Sequence, residues 1–477
     1  MRRSTVISTV CGALILGVIG ARSGVSAGLV EVGAAMVLLV ALARTRLMVP
    51  ALLLLAVVLG LWRATEYLHK QARLTALIGE KVSFVAVVND DPALNAKGYL
   101  EFKAGQIESG GQSIPGAITV RMYPTNLHRG YKLQLDGKLQ DGFGSVPAEL
   151  FYPQMTLLST RQGTLEQIRQ GFFAGIRTAL PEPAASFALG LLVGVRGLVP
   201  KDLQTQLNLV GLSHLVAVSG YNLTIMVAAA HRLFERGGKG MAVIASLWLI
   251  GGFLLVTGAS ASIVRASVVA VLALLATYYG RRFNPLTLIL LAAAGTALFK
   301  PAYLTDLGWL LSFIGFFAVM VVSPSVSARL GNPKWLAAQI FTETMVAHIL
   351  TIPLILYYFS QLSIAAPITN VLVLPLVPLA MLTGFIAGLA GMLLPAFCGW
   401  LAWPAALVLK YMLAVVDWFS KQPWAATSMH IDFAGMIIMY VALGLLIIAL
   451  KRSNRRRGLK EERMDVLSGG GAGVARG

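Results

Sequence analysis

Within the long apolar stretches of this sequence only a few side chains can do chemistry. His214, Ser219 and Asn222 surround Gly220 and follow Gly211, and farther along stand Arg265, Asp306, Ser312, Glu343, His348 and Asn370. They do not make the clustered His and Asp set that a two-metal hydrolase requires. No Gly-x-x-x-x-Gly-Lys-Ser/Thr loop is present to hold a nucleoside triphosphate. Cys11 and Cys398 each lie inside an apolar run, which provides neither a disulfide framework nor a thiolate metal site. The expectation is therefore a protein that is not an enzyme and carries no metal or cofactor. The chemistry left to these residues is hydrogen bonding and charge within a lipid-like surround. A charged side chain there costs about 2.5–3.5 kcal/mol on insertion scales and faces a cavity or a partner.

Each candidate has a plain structural reading beside a functional one. Arg265 sits about one turn inside its helix, where it either snorkels to the interface or offers a guanidinium to a phosphate. Asp306 starts an apolar helix, and capping is the commonest task of such a residue. A carboxylate would also repel a polyanion. His214, Ser219, Gly220 and Asn222 occupy a glycine-rich break, and unwound backbone at membrane depth must line water or be buried in protein. That break reads as a pore element or as packing. Glu343 and His348 share one long helix but point about 140° apart, so they form no relay on that helix. Asn370 either caps a helix or bonds across the bundle.

The elements that must hold these residues follow from composition. The 477 residues are 57% hydrophobic and only 13% charged, with a net charge of +18 and a mean hydropathy of +0.74. That is more apolar surface than a soluble core can bury. The fold class expected is a polytopic α-helical membrane protein with an inserted extracytoplasmic all-β, OB-like domain. Residues 1–78 hold three short crossings, at 5–21, 28–43 and 47–62. With Arg2 and Arg3 cytoplasmic, the chain emerges outside after Trp62.

Residues 79–160 then change character, with β-branched or alternating runs at Val82–Val88, Tyr99–Lys103, Ala117–Tyr123 and Tyr131–Leu139. These suit a small barrel. Lys97, Lys103, Arg121 and Tyr123, with Arg129 and Tyr131, make a candidate nucleic-acid-binding face, or simply solvated charge. Residues 161–182 read as an amphipathic helix at the membrane surface, and 183–450 as the polytopic body. The basic stretch 451–477 is expected to be a disordered cytoplasmic tail.

Four ordered blocks carry a resemblance. They are Gly190–Gly197 with Gly211–Asn222, then Gly258–Ala266, then Pro301–Phe313, then Pro367–Pro375. The chain resembles the ComEC-type competence proteins across nearly its whole length. Two departures stand out. The family often has histidine where this chain has Asn222, and many members end in a metallo-β-lactamase-like domain, for which nothing after Leu450 supplies a metal motif. The resemblance implies a channel that passes single-stranded DNA across the cytoplasmic membrane in natural transformation. On that reading His214, Ser219, Gly220, Asn222, Arg265, Asp306, Ser312, Glu343, His348 and Asn370 line it. It also implies a lipid bilayer as surround, a separate cytoplasmic ATP-driven helicase-like motor, a membrane-anchored DNA receptor and a separate nuclease. Two other classes remain open from the residues themselves: a secondary transporter of a small solute, and an envelope scaffold whose barrel binds a ligand.

Overall fold

The computed structural model describes residues 3–42, 45–94, 98–142, 146–160, 163–194, 196–216, 220–257, 261–280 and 284–469. The first helices are α1 (Arg3–Gly20), α2 (Leu29–Leu42) and α3 (Met48–Thr75), followed by seven strands: β1 (Lys81–Val88), β2 (Ala93–Leu94), β3 (Leu100–Ser109), β4 (Gln112–Met122), β5 (Lys132–Asp141), β6 (Ala148–Phe151) and β7 (Gln154–Ser159). Next come α4 (Thr164–Ala179), α5 (Ala184–Val193), α6 (Lys201–Leu209), α7 (Ser213–Val216), α8 (Gly220–Phe234), α9 (Lys239–Thr257), α10 (Ala261–Tyr278) and α11 (Pro285–Phe299). The rest is α12 (Leu307–Phe317), α13 (Ser323–Arg329), α14 (Leu336–Phe359), β8 (Gln361–Ser363), α15 (Ala366–Val373), α16 (Val377–Leu393), α17 (Cys398–Ser420), β9 (Ala426–Ser428) and α18 (Phe433–Gly469).

Seven helices among the described residues are long and apolar enough to cross a bilayer: Ser4–Ser23, α3, Leu307–Arg329, α14, Ala366–Leu393, α17 and Phe433–Ser453. This is a multi-pass membrane protein with an inserted β domain. Two compact units divide it, one built from Met1–Asn208, Leu212–Leu310 and Pro375–Trp418, the other from Leu209–Gly211, Leu311–Leu374 and Phe419–Gly477.

In the first unit the β domain is a closed barrel. Its strands run β1-β3-β4-β6-β5, and β5 returns to pair with β1. All barrel pairings are antiparallel except β4 with β6, which are parallel. A five-stranded closed path with that one parallel contact is the Greek-key arrangement of an OB-fold. The alternation of apolar residues fills the inside: Phe84 faces Leu135 and Phe102 faces Val120 across their ladders, all four buried. Leu74 from the end of α3 is fully buried in the same core, so the barrel sits directly on that helix.

Helix α4 has the amphipathic pattern expected of 161–182; Phe173 and Ile176 on its apolar side are buried, while Leu165 and Ile168 nearer its start are exposed. It packs along α16, where the backbones approach so closely that a Cβ on Gly391 would stand 1.9 Å from the Gly175 carbonyl oxygen. Only glycine permits that crossing.

In the second unit α12 and α13 form one span interrupted by a π-helical turn at Ala318–Val322. That turn is buried with Val346 and Leu350 of α14 and Ile447 of α18. The two short strands β8 and β9 pair antiparallel, Gln361 opposite Ser428 and Ser363 opposite Ala426.

Three expectations need correction. The stretch 451–477 is not a disordered tail as far as it is described, because α18 runs unbroken to Gly469. Leu459, Lys460, Glu461, Glu462, Arg463 and Met464 are strong helix formers, and propensity extends the membrane helix beyond the bilayer. Helix α3 likewise continues thirteen residues past the expected Trp62 end, to Thr75, because Arg63–Thr75 remains helix-forming although polar. Strands β6 and β7 were absent from the sequence reading; Ala-Glu-Leu-Phe is too short to show a period.

Candidate functional site

The glycine break is built by chain geometry before side chains matter. Helix α6 ends at Leu209, Gly211 turns left-handed with φ of 74°, and the Leu212 N–H bonds the Leu207 carbonyl at 2.8 Å. This is a glycine helix stop. The same glycine is a contact point: a Cβ there would lie 2.4 Å from the Ala366 Cβ and 3.1 Å from the Ser363 Oγ. One turn into α15, the buried Thr369 hydroxyl donates to the Val210 carbonyl at 2.8 Å. The break therefore docks on the start of α15, bringing together two sequence blocks 159 residues apart.

That docking leaves polar atoms inside. Asn370, on the next position of α15, is 6% exposed, and its Oδ1 has no hydrogen-bond partner among the described residues. The buried Ser363 Oγ is in the same condition. A buried acceptor left unmet costs about 1–3 kcal/mol, so both atoms call for a polar partner. His348 has the Ser363 backbone within hydrogen-bonding reach. It is half-buried, whereas Glu343 is exposed, in keeping with their different faces of α14. His214, on α7, is exposed; Ser219 lies outside the described residues, and for Gly220 and Asn222 only their place at the start of α8 is described.

Arg265 and Asp306 form a second polar locus, in the first unit. Arg265 is 1% exposed, so protein encloses it and it does not snorkel outward. The Asp306 charge acts on it. The Asp306 Oδ1 also accepts the Trp309 N–H at 2.9 Å, the N-cap bond expected of it. Trp309 in turn donates its indole N–H to Thr296 at 3.0 Å, fastening α12 to α11. Ser312 lies half-buried farther along α12.

On the barrel, Arg121 is committed to protein. Its guanidinium pairs with Glu101 at 2.9 Å and with the nearly buried Glu149 at 3.0 Å, and it lies over the Phe151 ring at 5.2 Å. Beyond it three rings meet: Tyr99 and Tyr123 at 6.1 Å, Tyr99 and Tyr152 at 5.2 Å, Tyr123 and Tyr152 at 5.2 Å between centroids. Tyr123 is 68% and Tyr152 45% exposed. The hydrogen bond with Tyr99 pushes the Tyr152 phenol up to about 12, so that ring keeps its proton at neutral pH. Tyr123 was expected on this face; Tyr99 and Tyr152 were not among the sequence candidates. The available signal was position, since each flanks a strand end, at Leu100 and Phe151.

Lys103 is exposed, with its backbone N–H held by Asp90 at 2.6 Å. Burial pushes the Asp90 carboxyl up to about 6. Tyr131 packs against the barrel core, and Lys97 lies outside the described residues. The loop after β1 is clamped to α4. Asp91 pairs with Arg169, which is 1% exposed, holds Glu166 at 3.0 Å and lies over Phe173 at 4.7 Å. The turn Arg196–Leu198 packs against β2.

No group of three or more His, Cys, Asp or Glu among the described residues could hold a metal ion. Residues 191–453 match the family described as Competence protein.

The chain belongs to the competence protein family. Every helical candidate from His214 to Asn370 falls inside the matched segment, whereas the barrel residues precede it. The chain is also similar to ComE operon protein 3 of Bacillus subtilis (strain 168), 28% identical over 256 residues. That alignment covers 53% of this chain and 32% of the relative, so this competence protein matches about a third of the relative's length. No solved structure matches.

Proposed function

We propose that this competence protein is a channel that passes single-stranded DNA across the cytoplasmic membrane in natural transformation. The observation that carries the reading is the union of a competence-family helical body with a closed OB barrel bearing exposed tyrosines. OB barrels bind single strands by stacking bases on aromatic rings, and each base contributes about 1–3 kcal/mol whatever its sequence. Tyr99, Tyr123 and Tyr152 are such a platform, with Lys103 as an exposed cation; Arg121 acts by holding the platform's strands.

In the body, a polyanion needs water and hydrogen-bonding groups with few fixed cations, because tight phosphate binding stalls exit. Asn370, Ser363 and the Gly211–Asn222 break supply polar groups, and Arg265 is balanced by Asp306. The barrel lies outside and the basic end of α18 inside, the arrangement that puts Lys451 and Arg452 in the cytoplasm. Force comes from a separate helicase-like ATPase, DNA arrives through a membrane-anchored receptor, and a separate nuclease removes the other strand. The protein itself performs no hydrolysis.

The test is uptake of labelled DNA by a strain lacking the protein, scored separately for surface binding and entry. Binding without entry, restored by the intact chain, is expected. Normal entry in the deletion strain overturns the proposal.

A further inference from the structure

The second unit contains an apolar groove of about 470 Å³ that nothing above uses. Leu330 and Pro333 of the α13–α14 loop, Phe341 of α14, and Ile368, Val371 and Leu372 of α15 form its walls. Its one hydroxyl, on Thr342, is turned to the Ala338 carbonyl at 2.8 Å and adds no polar group to the lining. Pockets of 300–1000 Å³ for water-soluble ligands usually carry a few convergent polar groups, which this one lacks.

Charge sits at one end only. Arg329 immediately precedes Leu330 and Lys334 immediately follows Pro333, so both cations stand one residue from the wall. Lys334 is exposed, and beside it Trp335 is 81% exposed, the pairing of an indole with a cation that marks a membrane–water boundary. From Leu307 to Leu376 the sole acidic residue is Glu343, about 10 Å up α14 from its first turn. The exposed Lys334 thus puts a cation at the groove mouth.

We propose that this groove holds one acyl chain of an anionic phospholipid, with its phosphate against Lys334. The apolar wall suits a hydrocarbon chain, and the Lys334 cation at its end selects headgroup charge. A lipid at this place wedges between α14 and α15, the helix on which the Gly211 break docks, and so acts on that contact.

The test uses the full chain in nanodiscs of phosphatidylcholine doped with phosphatidylglycerol, each lipid carrying a photoreactive acyl chain in turn. Crosslinks to residues 329–342 and 366–373, read by peptide mapping, should favour phosphatidylglycerol. Lys334→Gln, at an exposed position, should lower that preference about fivefold, the effect of one cation near a charged lipid surface. Phosphatidylcholine crosslinking should stay unchanged. Ala338→Trp, which fills the groove, should reduce both lipids there but not on α17. Equal crosslinking of the two lipids by the wild type, an unchanged preference in Lys334→Gln, or undiminished crosslinking in Ala338→Trp overturns the proposal.

Discussion

The Thr369 hydroxyl reaches the Val210 carbonyl at 2.8 Å while Gly211 beside it admits no Cβ against Ala366. The break is therefore held at its N-terminal end by a hydrogen bond and, at the next residue, by steric contact. Gly211→Ala must adopt a left-handed backbone, costing about 1–2 kcal/mol before any clash is counted. Thr369→Val strands a buried carbonyl at about 1–3 kcal/mol. Both variants should lower the thermal midpoint of the detergent-solubilised protein, Gly211→Ala more. Unchanged midpoints would show that this contact does not hold the break.

Asp90 makes the barrel sensitive to pH. Its carboxyl ordinarily titrates at 3.8 and is pushed up to about 6 by burial and Asp91, against the opposing pull of the Lys103 N–H. The folded state therefore binds this proton more tightly than the unfolded state. Stability contributed at this position is highest below about pH 4 and is lost as pH rises through about 6, a difference of about 3 kcal/mol. Asp90→Asn keeps the acceptor for Lys103 and removes the charge. Hydrogen exchange of the β1 and β3 amides should be slower in this variant at pH 7 and lose its dependence between pH 4 and 6. An unaltered pH profile would contradict the assignment.

Hydropathy made the membrane helices legible; α14 and α11 have the bounds the apolar runs gave, because solvation by lipid leaves a long continuous apolar stretch. The barrel was legible as a strand-rich region, but its closure was not. The parallel pairing of β4 with β6 depends on a chain reversal that no local pattern encodes. The site suffered for the same reason. Tyr99, Tyr123 and Tyr152 meet only when β4 pairs with both β3 and β6, and the carboxylates that occupy Arg121 come from those two strands. Asp306 was readable as a cap because capping is local; the burial of Arg265 was not, because the protein around it is distant in sequence.

The tyrosine platform makes a separable prediction. Tyr123→Ala and Tyr152→Ala should each weaken binding of a short single-stranded oligonucleotide by about 1–3 kcal/mol, with affinity falling as salt rises. Arg121→Ala should instead destabilise the barrel by about 3–5 kcal/mol, since it leaves Glu149 buried and unpaired. Fluorescence anisotropy and barrel proteolysis measure the two effects. Full binding by the double tyrosine variant would remove the platform from the mechanism.

Orientation is tested by single cysteines, because native Cys11 and Cys398 are buried. Lys103→Cys should react with an impermeant maleimide in intact cells, and Arg452→Cys only after the membrane is opened. The reverse pattern would place the barrel inside.

The most direct test of the channel is DNA entry by Gly220→Leu, normalised to the amount of membrane-inserted protein. Gly220, expected in the unwound break, is instead the first residue of α8, where a branched side chain fills space that a passing nucleotide needs. Asn222→Ala should slow entry more mildly. The account predicts normal surface binding with entry blocked in Gly220→Leu; normal entry per inserted molecule would contradict it.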